Sequence, residues 1–194
     1  MTCLVATGVS VGALVTLHVL PTGLSPMRNA VSQYGITRYR LGYRIQTIAL
    51  AVAGAAAAVG LAEAAPGRAR ALIALLIIFA LARLVISWFP MDEPGGERSN
   101  HGAMHGLIAI VTFVAIALAA GRLSTVAKQV PGWGTLSTVS GAFAWLMVAS
   151  LVAMMVMRRG ASATKSTPSY FGAVERVFYL AVVAWLVLVG VGLM

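Results

Sequence analysis

Six apolar stretches, each about twenty residues long, divide the chain, and proline, glycine or clustered charge separates them. A helix needs about 20 consecutive apolar residues to cross the hydrocarbon core of a bilayer. The first stretch runs from about residue 2 to 20 and is stopped by Pro21. The second covers about 41–64 and is rich in Ala and Gly; the turn Ala65-Pro-Gly-Arg-Ala-Arg70 leads to the third, about 71–89. Pro90 and Pro94-Gly-Gly96 break the chain before the fourth, about 100–121. The fifth spans about 134–157, and a Ser/Thr-rich linker precedes the sixth, about 172–193. The pattern predicts an all-α integral membrane bundle of six transmembrane helices, forming a single domain over residues 1–194.

An even number of spans places both termini on one side and loops 1, 3 and 5 on the other. Small residues at Gly54-Ala-Ala-Ala-Ala58, Gly102, Gly106, Gly190 and Gly192 are expected to let helices pack closely. Loop 1 (Pro21 to Arg40) is the longest, and its polar residues look specified rather than generic. Ser25-Pro26 and Tyr34-Gly35 bracket a short re-entrant or interfacial helix.

Composition agrees with the pattern. The chain is 60% apolar and 10% charged, with mean hydropathy +0.91. Soluble domains carry about 25% charge, so the solvent for this surface is lipid. The net charge of +9 therefore points to topology and lipid headgroups; no nucleic-acid-binding pattern accompanies it. Loops 1, 3 and 5 hold Arg28, Arg38, Arg40, Arg98, Arg158, Arg159 and Lys165, whereas loops 2 and 4 hold Arg68, Arg70, Arg122 and Lys128. Counted literally, that asymmetry puts loops 1, 3 and 5 in the cytoplasm. The single cysteine, Cys3, excludes disulfides and thiolate clusters within the chain. No basic region precedes the first apolar stretch, which reads as a retained helix.

Candidate chemistry gathers at the end of the bundle that carries loops 1, 3 and 5. His18 closes helix 1, and His101 and His105 open helix 4 with the i, i+4 spacing that puts two imidazoles on one face. Four of the five carboxylates (Asp92, Glu93, Glu97 and Glu175) lie there too, and only Glu63 is opposite. One reading is a metal site: His18, His101 and His105 hold a divalent ion such as zinc, and Asp92 or Glu175 handles the proton as second-sphere partner or general base. The other is three histidines that merely hydrogen-bond at helix ends, since a bare i, i+4 pair is a weaker signal than a full His-Glu-x-x-His pattern. Arg83 interrupts the apolar run Leu81-Ala-Arg-Leu-Val-Ile86, where a charge costs about 2.5 kcal/mol or more unless it is paired or snorkels. The two readings are a pair with Glu175, or a snorkelling Arg83 with Glu175 simply capping its helix. Arg28, Ser32, Tyr34 and Arg38 in loop 1, with Arg83, form a candidate set for an anionic lipid headgroup, because guanidinium binds phosphate and carboxylate bidentately.

The segments Leu24-Ser-Pro-Met-Arg-Asn-Ala-Val-Ser-Gln-Tyr-Gly35, Trp88-Phe-Pro-Met-Asp92 and His101-Gly-Ala-Met-His105 resemble, in that order, bacterial six-helix membrane proteins of domain-of-unknown-function family 998. That resemblance implies the same fold and a place in the bacterial cytoplasmic membrane. Family members more often carry an acidic residue where this chain has Gln33. The loop-1 element also resembles that of the eukaryotic family containing the autophagy modulator DRAM, where it faces away from the cytosol. This implies the orientation opposite to the arginine count. The ingredients, though neither their order nor the helix count, are similar to those of the alkaline ceramidases, which gather histidines, an aspartate and a serine around zinc. Three functions follow as expectations: a metal-dependent intramembrane hydrolase acting on a lipid or lipid-linked headgroup; a non-catalytic lipid-binding, sensory or accessory subunit; and a small transporter, with homo-oligomerisation open in each. No internal repeat or pair of broken helices supports the transporter.

Overall fold

A computed structural model of the chain describes residues 1–164 and 170–194; Lys165 and most of the Ser/Thr-rich linker lie outside the described residues. Within them the chain forms six α-helices: α1 (Thr2–Val19), α2 (Arg40–Ala64), α3 (Arg70–Val85), α4 (Asn100–Ala127), α5 (Gly134–Thr164) and α6 (Phe171–Gly192). Two short 3-10 helices, Val31–Ile36 in loop 1 and Ile86–Trp88 after α3, complete the described secondary structure. Helices consecutive in sequence pack side by side, α6 returns to α1, and α2 also reaches α6 across the bundle.

Each of the six is long and apolar enough to cross a membrane. Their apolar windows are only 22% (α5) to 56% (α2) buried within the protein, so the remainder faces outward. Outward-facing Val5, Leu81, Leu107, Trp145, Val156 and Leu180 would be a liability in water, and in a bilayer they form the lipid boundary. The chain is a multi-pass membrane protein. Leu50, Leu61, Leu76, Ile116, Leu123 and Trp185 fill the interior between the helices.

The sequence signals end the helices for identifiable reasons. Leu20 caps α1 in an extended conformation (φ −66°, ψ 148°), as required before Pro21. Gly67 makes the α2–α3 turn at φ 76°, a conformation that a side chain strains. Gly54 lets α2 approach α3, because a Cβ there would stand 2.7 Å from the Phe79 ring. The fourth helix departs from expectation by running six residues past Gly121, to Ala127. Those residues continue its apolar stripe, and Leu123, Val126 and Ala127 are buried. One glycine's propensity cost of about 1 kcal/mol is smaller than that gain. The fifth helix likewise continues past Met157 through Arg158 and Arg159.

Candidate functional site

At the loop-1, loop-3 and loop-5 end, a cavity of about 380 Å³ opens into the centre of the bundle. Arg28 from loop 1 and Arg158 from α5, both exposed, stand at its mouth. Asp92, His105 and Glu175 contribute titratable groups to its wall, and Ser32, Gln33, Tyr43 and Tyr179 contribute neutral polar ones. Ile86, Ala109, Phe113 and Phe171 make the remainder apolar. Every helix except α1 supplies a residue or a flanking segment, so the fold itself makes the cavity.

Loop 1 is bound to the start of α6. Glu175 is buried, and its Oε2 accepts the Val31 N–H at 2.7 Å, capping the loop's 3-10 helix. Arg176, the next residue, donates from Nε to His18 Nε2 (2.7 Å) and from Nη1 to the carbonyls of Asn29 and Gly172 (2.9 Å each). Its Nη2 reaches the Tyr34 hydroxyl at 3.4 Å. The Ala173 N–H donates to Met27 O at 3.0 Å. Gly172 makes the approach feasible: a Cβ there would meet Asn29 O at 2.5 Å and Pro26 O at 2.6 Å. Within the loop, Asn29 Oδ1 accepts from the Ser25 N–H (2.8 Å), and Ser32 donates to Met91 Sδ in loop 3 (3.2 Å).

The histidines have separate duties. Guanidinium only donates, so His18 Nε2 must be the acceptor, and Nδ1 then carries the hydrogen it shares with Leu14 O at 2.6 Å. Both ring nitrogens of His18 are thereby engaged, and its ring packs edge-on against Tyr34. His105 Nδ1 lies 2.7 Å from Phe89 O, so it too bears the hydrogen, and the buried ring lines the cavity. His101 is exposed beside Phe89. Among the described residues no three His, Cys, Asp or Glu side chains converge as a metal-ligand group. The expected triad of His18, His101 and His105 is therefore not brought together: the i, i+4 spacing aligns two rings on α4, but the third is tied to α6.

Arg83 is 1% exposed, and its hydrogen-bond acceptors are Tyr179 Oη (2.9 Å) and Gln46 Oε1 (2.7 Å), not Glu175 as the pairing reading expects. The reason is geometric. Glu175 and Tyr179 sit one turn apart on α6, and the upper residue is committed to loop 1 while the lower one meets Arg83. Arg83 Nε has no partner among the described residues.

Asp92 fastens loop 3 to the head of α4. Its Oδ1 accepts the Ser99 hydroxyl at 2.6 Å, and the Ser99 N–H also points at the carboxylate. The Ser99 hydroxyl in turn accepts the Gly102 N–H at 3.0 Å as the helix cap. The carboxylate occupies the space a Cβ at position 102 would need. The Ser99 hydroxyl, then its amide, hold the Asp92 carboxyl below its ordinary pKa.

Of the candidates read from sequence, Arg28, Ser32, Asp92, His105 and Glu175 line one cavity. Tyr34 is buried within the loop-1 3-10 helix, against His18 and Arg176, and Arg83 stands behind Tyr179. Arg38, donating to Tyr39 Oη, lines a separate surface groove with Arg40 and Pro90. Sequence reasoning missed Arg158, Arg176, Tyr179, Tyr43 and Gln46. Arg176 and Gln46 carried a usable signal, being polar residues inside apolar spans. The tyrosines carried none, because an intramembrane Tyr looks like any other aromatic.

The chain belongs to the family described as protein of unknown function (DUF998), whose model matches residues 4–192. No curated protein and no solved structure matches it.

Proposed function

We propose that this DUF998 protein binds an anionic amphiphile in the cavity between its helices, as a non-catalytic lipid-binding, sensory or accessory subunit. The observation that carries the reading is the two-faced lining. Cationic Arg28 and Arg158 guard the mouth, while Ile86, Ala109, Phe113 and Phe171 offer an apolar wall. A pocket with an apolar body and a few placed polar groups suits a ligand of the same design, and about 380 Å³ lies within the usual range of roughly 300–1,000 Å³ for ligand sites. In the bacterial cytoplasmic membrane implied by the family resemblance, lipids with phosphate headgroups supply such ligands. Native mass spectrometry of protein extracted in a mild detergent tests the reading. A retained anionic lipid, lost from an Arg28→Ala/Arg158→Ala double variant, is the expected result; no retained amphiphile, and no thermal stabilisation by added anionic lipid, would refute it.

A hydrolytic second reading draws on His105. The Phe89 carbonyl fixes its Nδ1–H, leaving Nε2 as the basic nitrogen of a ring that lines the cavity. Asp92 and Glu175 line the same wall. A metal-dependent version would need ligands other than the three histidines, because His18 has no lone pair to give. Hydrolysis of a phospholipid headgroup by wild type but not by His105→Ala, with or without stoichiometric zinc by elemental analysis, would replace the binding reading with this one.

A further inference from the structure

Arg83 is a buried cation whose acceptors are all neutral. Its Cα lies in α3 about 8 Å along the helix from the end of the span at Trp88, at about 1.5 Å per residue. Tyr179 and Gln46 satisfy two of its nitrogens, Nε is unpartnered, and the side chain is 1% exposed. Ser87 Oγ, one turn above it on the same strand of chain, is also buried without a partner. The carboxylate nearest along α6, Glu175, is bonded to the Val31 N–H. A charge in such surroundings costs several kcal/mol unless an opposite charge joins it. Tyr179, which accepts from Arg83, lines the cavity, so the cation adjoins the ligand site through one side chain. The lining itself carries Arg28 and Arg158 against Asp92 and Glu175, and Arg83 behind Tyr179 adds a further positive charge.

We propose that Arg83 is the counter-charge for the ligand: an oxyanion, phosphate or carboxylate, is drawn to the inner end of the cavity against Tyr179 and Arg83, and this selects net-anionic amphiphiles over zwitterionic ones. The inference rests on the cavity being an amphiphile site. The two mouth arginines alone are solvated and screened, and they would accept a phosphocholine almost as well as a phosphate. The buried guanidinium is not screened, so it distinguishes a net-anionic headgroup from a zwitterionic one. Arg83 is thus a specificity residue, and Tyr179 is the side chain through which it reaches the ligand.

The test uses the full chain in neutral detergent, with dodecyl phosphate, dodecylphosphocholine and inorganic phosphate as probes, read by thermal shift and by native mass spectrometry. Wild type is expected to be stabilised by dodecyl phosphate and little by dodecylphosphocholine. Arg83→Gln is expected to bind dodecyl phosphate about tenfold or more weakly, the loss of an unscreened counter-charge behind Tyr179. Without ligand the same variant should be at least as stable as wild type, because an uncompensated buried charge has gone. Tyr179→Phe should weaken binding less, and Arg122→Gln, at the opposite end of the bundle, should not change it. If Arg83→Gln fails to fold, Arg83→Met decides: it removes the charge but keeps an unbranched apolar stem, and undiminished binding of dodecyl phosphate in it overturns the proposal. Arg83→Gln binding as well as wild type, while Arg28→Ala binds worse, also overturns it but leaves the amphiphile site standing. Failure of wild type to bind any probe sinks the site itself. Stabilisation by inorganic phosphate equal to that by dodecyl phosphate would uphold the oxyanion role of Arg83 and overturn the amphiphile.

Discussion

Arg176→Gln separates loop 1 from the helices beneath it. The native guanidinium joins three elements: Nε–H to His18 on α1, Nη1–H to Asn29 O in loop 1, and Nη1–H to Gly172 O on its own helix. The first two bridge distant parts of the chain, and each is a hydrogen bond from a charged donor. Such bonds are worth about 1.5–3 kcal/mol in protected surroundings. Arg176 is only partly buried, and glutamine can still satisfy one acceptor, so we take about 2–3 kcal/mol for the pair rather than the full sum. That cost falls on local opening of loop 1, not on the bundle, which is held by its apolar core. At 1.4 kcal/mol per decade, the open population rises about 30- to 150-fold. The Val31 amide reports it directly, because its acceptor is the neighbouring Glu175. Amide hydrogen exchange of residues 29–34 should accelerate by that factor in Arg176→Gln, with exchange in the core of α4 unchanged. Arg176→Lys should resemble the glutamine variant, since one ammonium cannot face His18 and Asn29 in the geometry of a planar fork. Acceleration below threefold at Val31 would refute the reasoning, and so would uniform acceleration throughout the bundle.

Other perturbations follow from the same contacts. Gly172→Ala drives a Cβ against two backbone carbonyls that cannot rotate away, so it should cost about 1–3 kcal/mol and expose Arg28 to trypsin, seen as faster cleavage in loop 1. The Asp92–Ser99 clamp depends on a carboxylate whose pKa is lowered in the fold, so its contribution is complete above the ordinary carboxylate pKa and is lost as the pH falls through the depressed value. Ser99 amide protection should persist from neutral into mildly acid solution and then collapse, and Asp92→Asn should abolish that pH dependence. Trp185→Phe removes the indole N–H donated to Ser140 Oγ at 2.7 Å, and should lower stability by about 1–2 kcal/mol while leaving amphiphile binding at the far end unaltered in a thermal-shift titration.

The bundle was legible because lipid makes a coarse demand: about twenty apolar residues per span, with polar breaks between them. Pro21 and Ala65-Pro-Gly67 mark ends that the backbone respects. The overrun of α4 was not legible at that level. Gly121 looks like a stop by local propensity, and only packing of Leu123 and Ala127 against neighbouring elements overrides it. Sequence spacing gathered the polar candidates at the end of the molecule where the cavity opens but misassigned the partners. An i, i+4 rule aligns His101 with His105 within one helix, yet it cannot say which of several helices His18 will face. The same limit produced the candidate Arg83–Glu175 pair. Both residues sit at similar depth, but the angular positions of α3 and α6 turn Tyr179 rather than Glu175 towards the arginine.

That substitution of partners makes one short stretch of α6 the junction of the whole site. Glu175 holds the amide of loop 1, Arg176 holds its carbonyl and His18, and Tyr179 meets Arg83. These residues lie within five positions, on rigid helix, and Glu175 and Tyr179 also line the cavity. A ligand that touches the cavity wall therefore touches the side chains that fasten loop 1 and those that satisfy the buried cation. Coupling between the two needs no long pathway: a ligand that competes with Val31 for Glu175 loosens the loop, and one that engages Tyr179 leaves it in place. An oxyanion is repelled by the Glu175 carboxylate and attracted by the Arg83 side. Binding at the inner end should then leave loop 1 docked, with amide exchange at Val31 unchanged or slowed, whereas a cationic amphiphile seated on Glu175 should speed it.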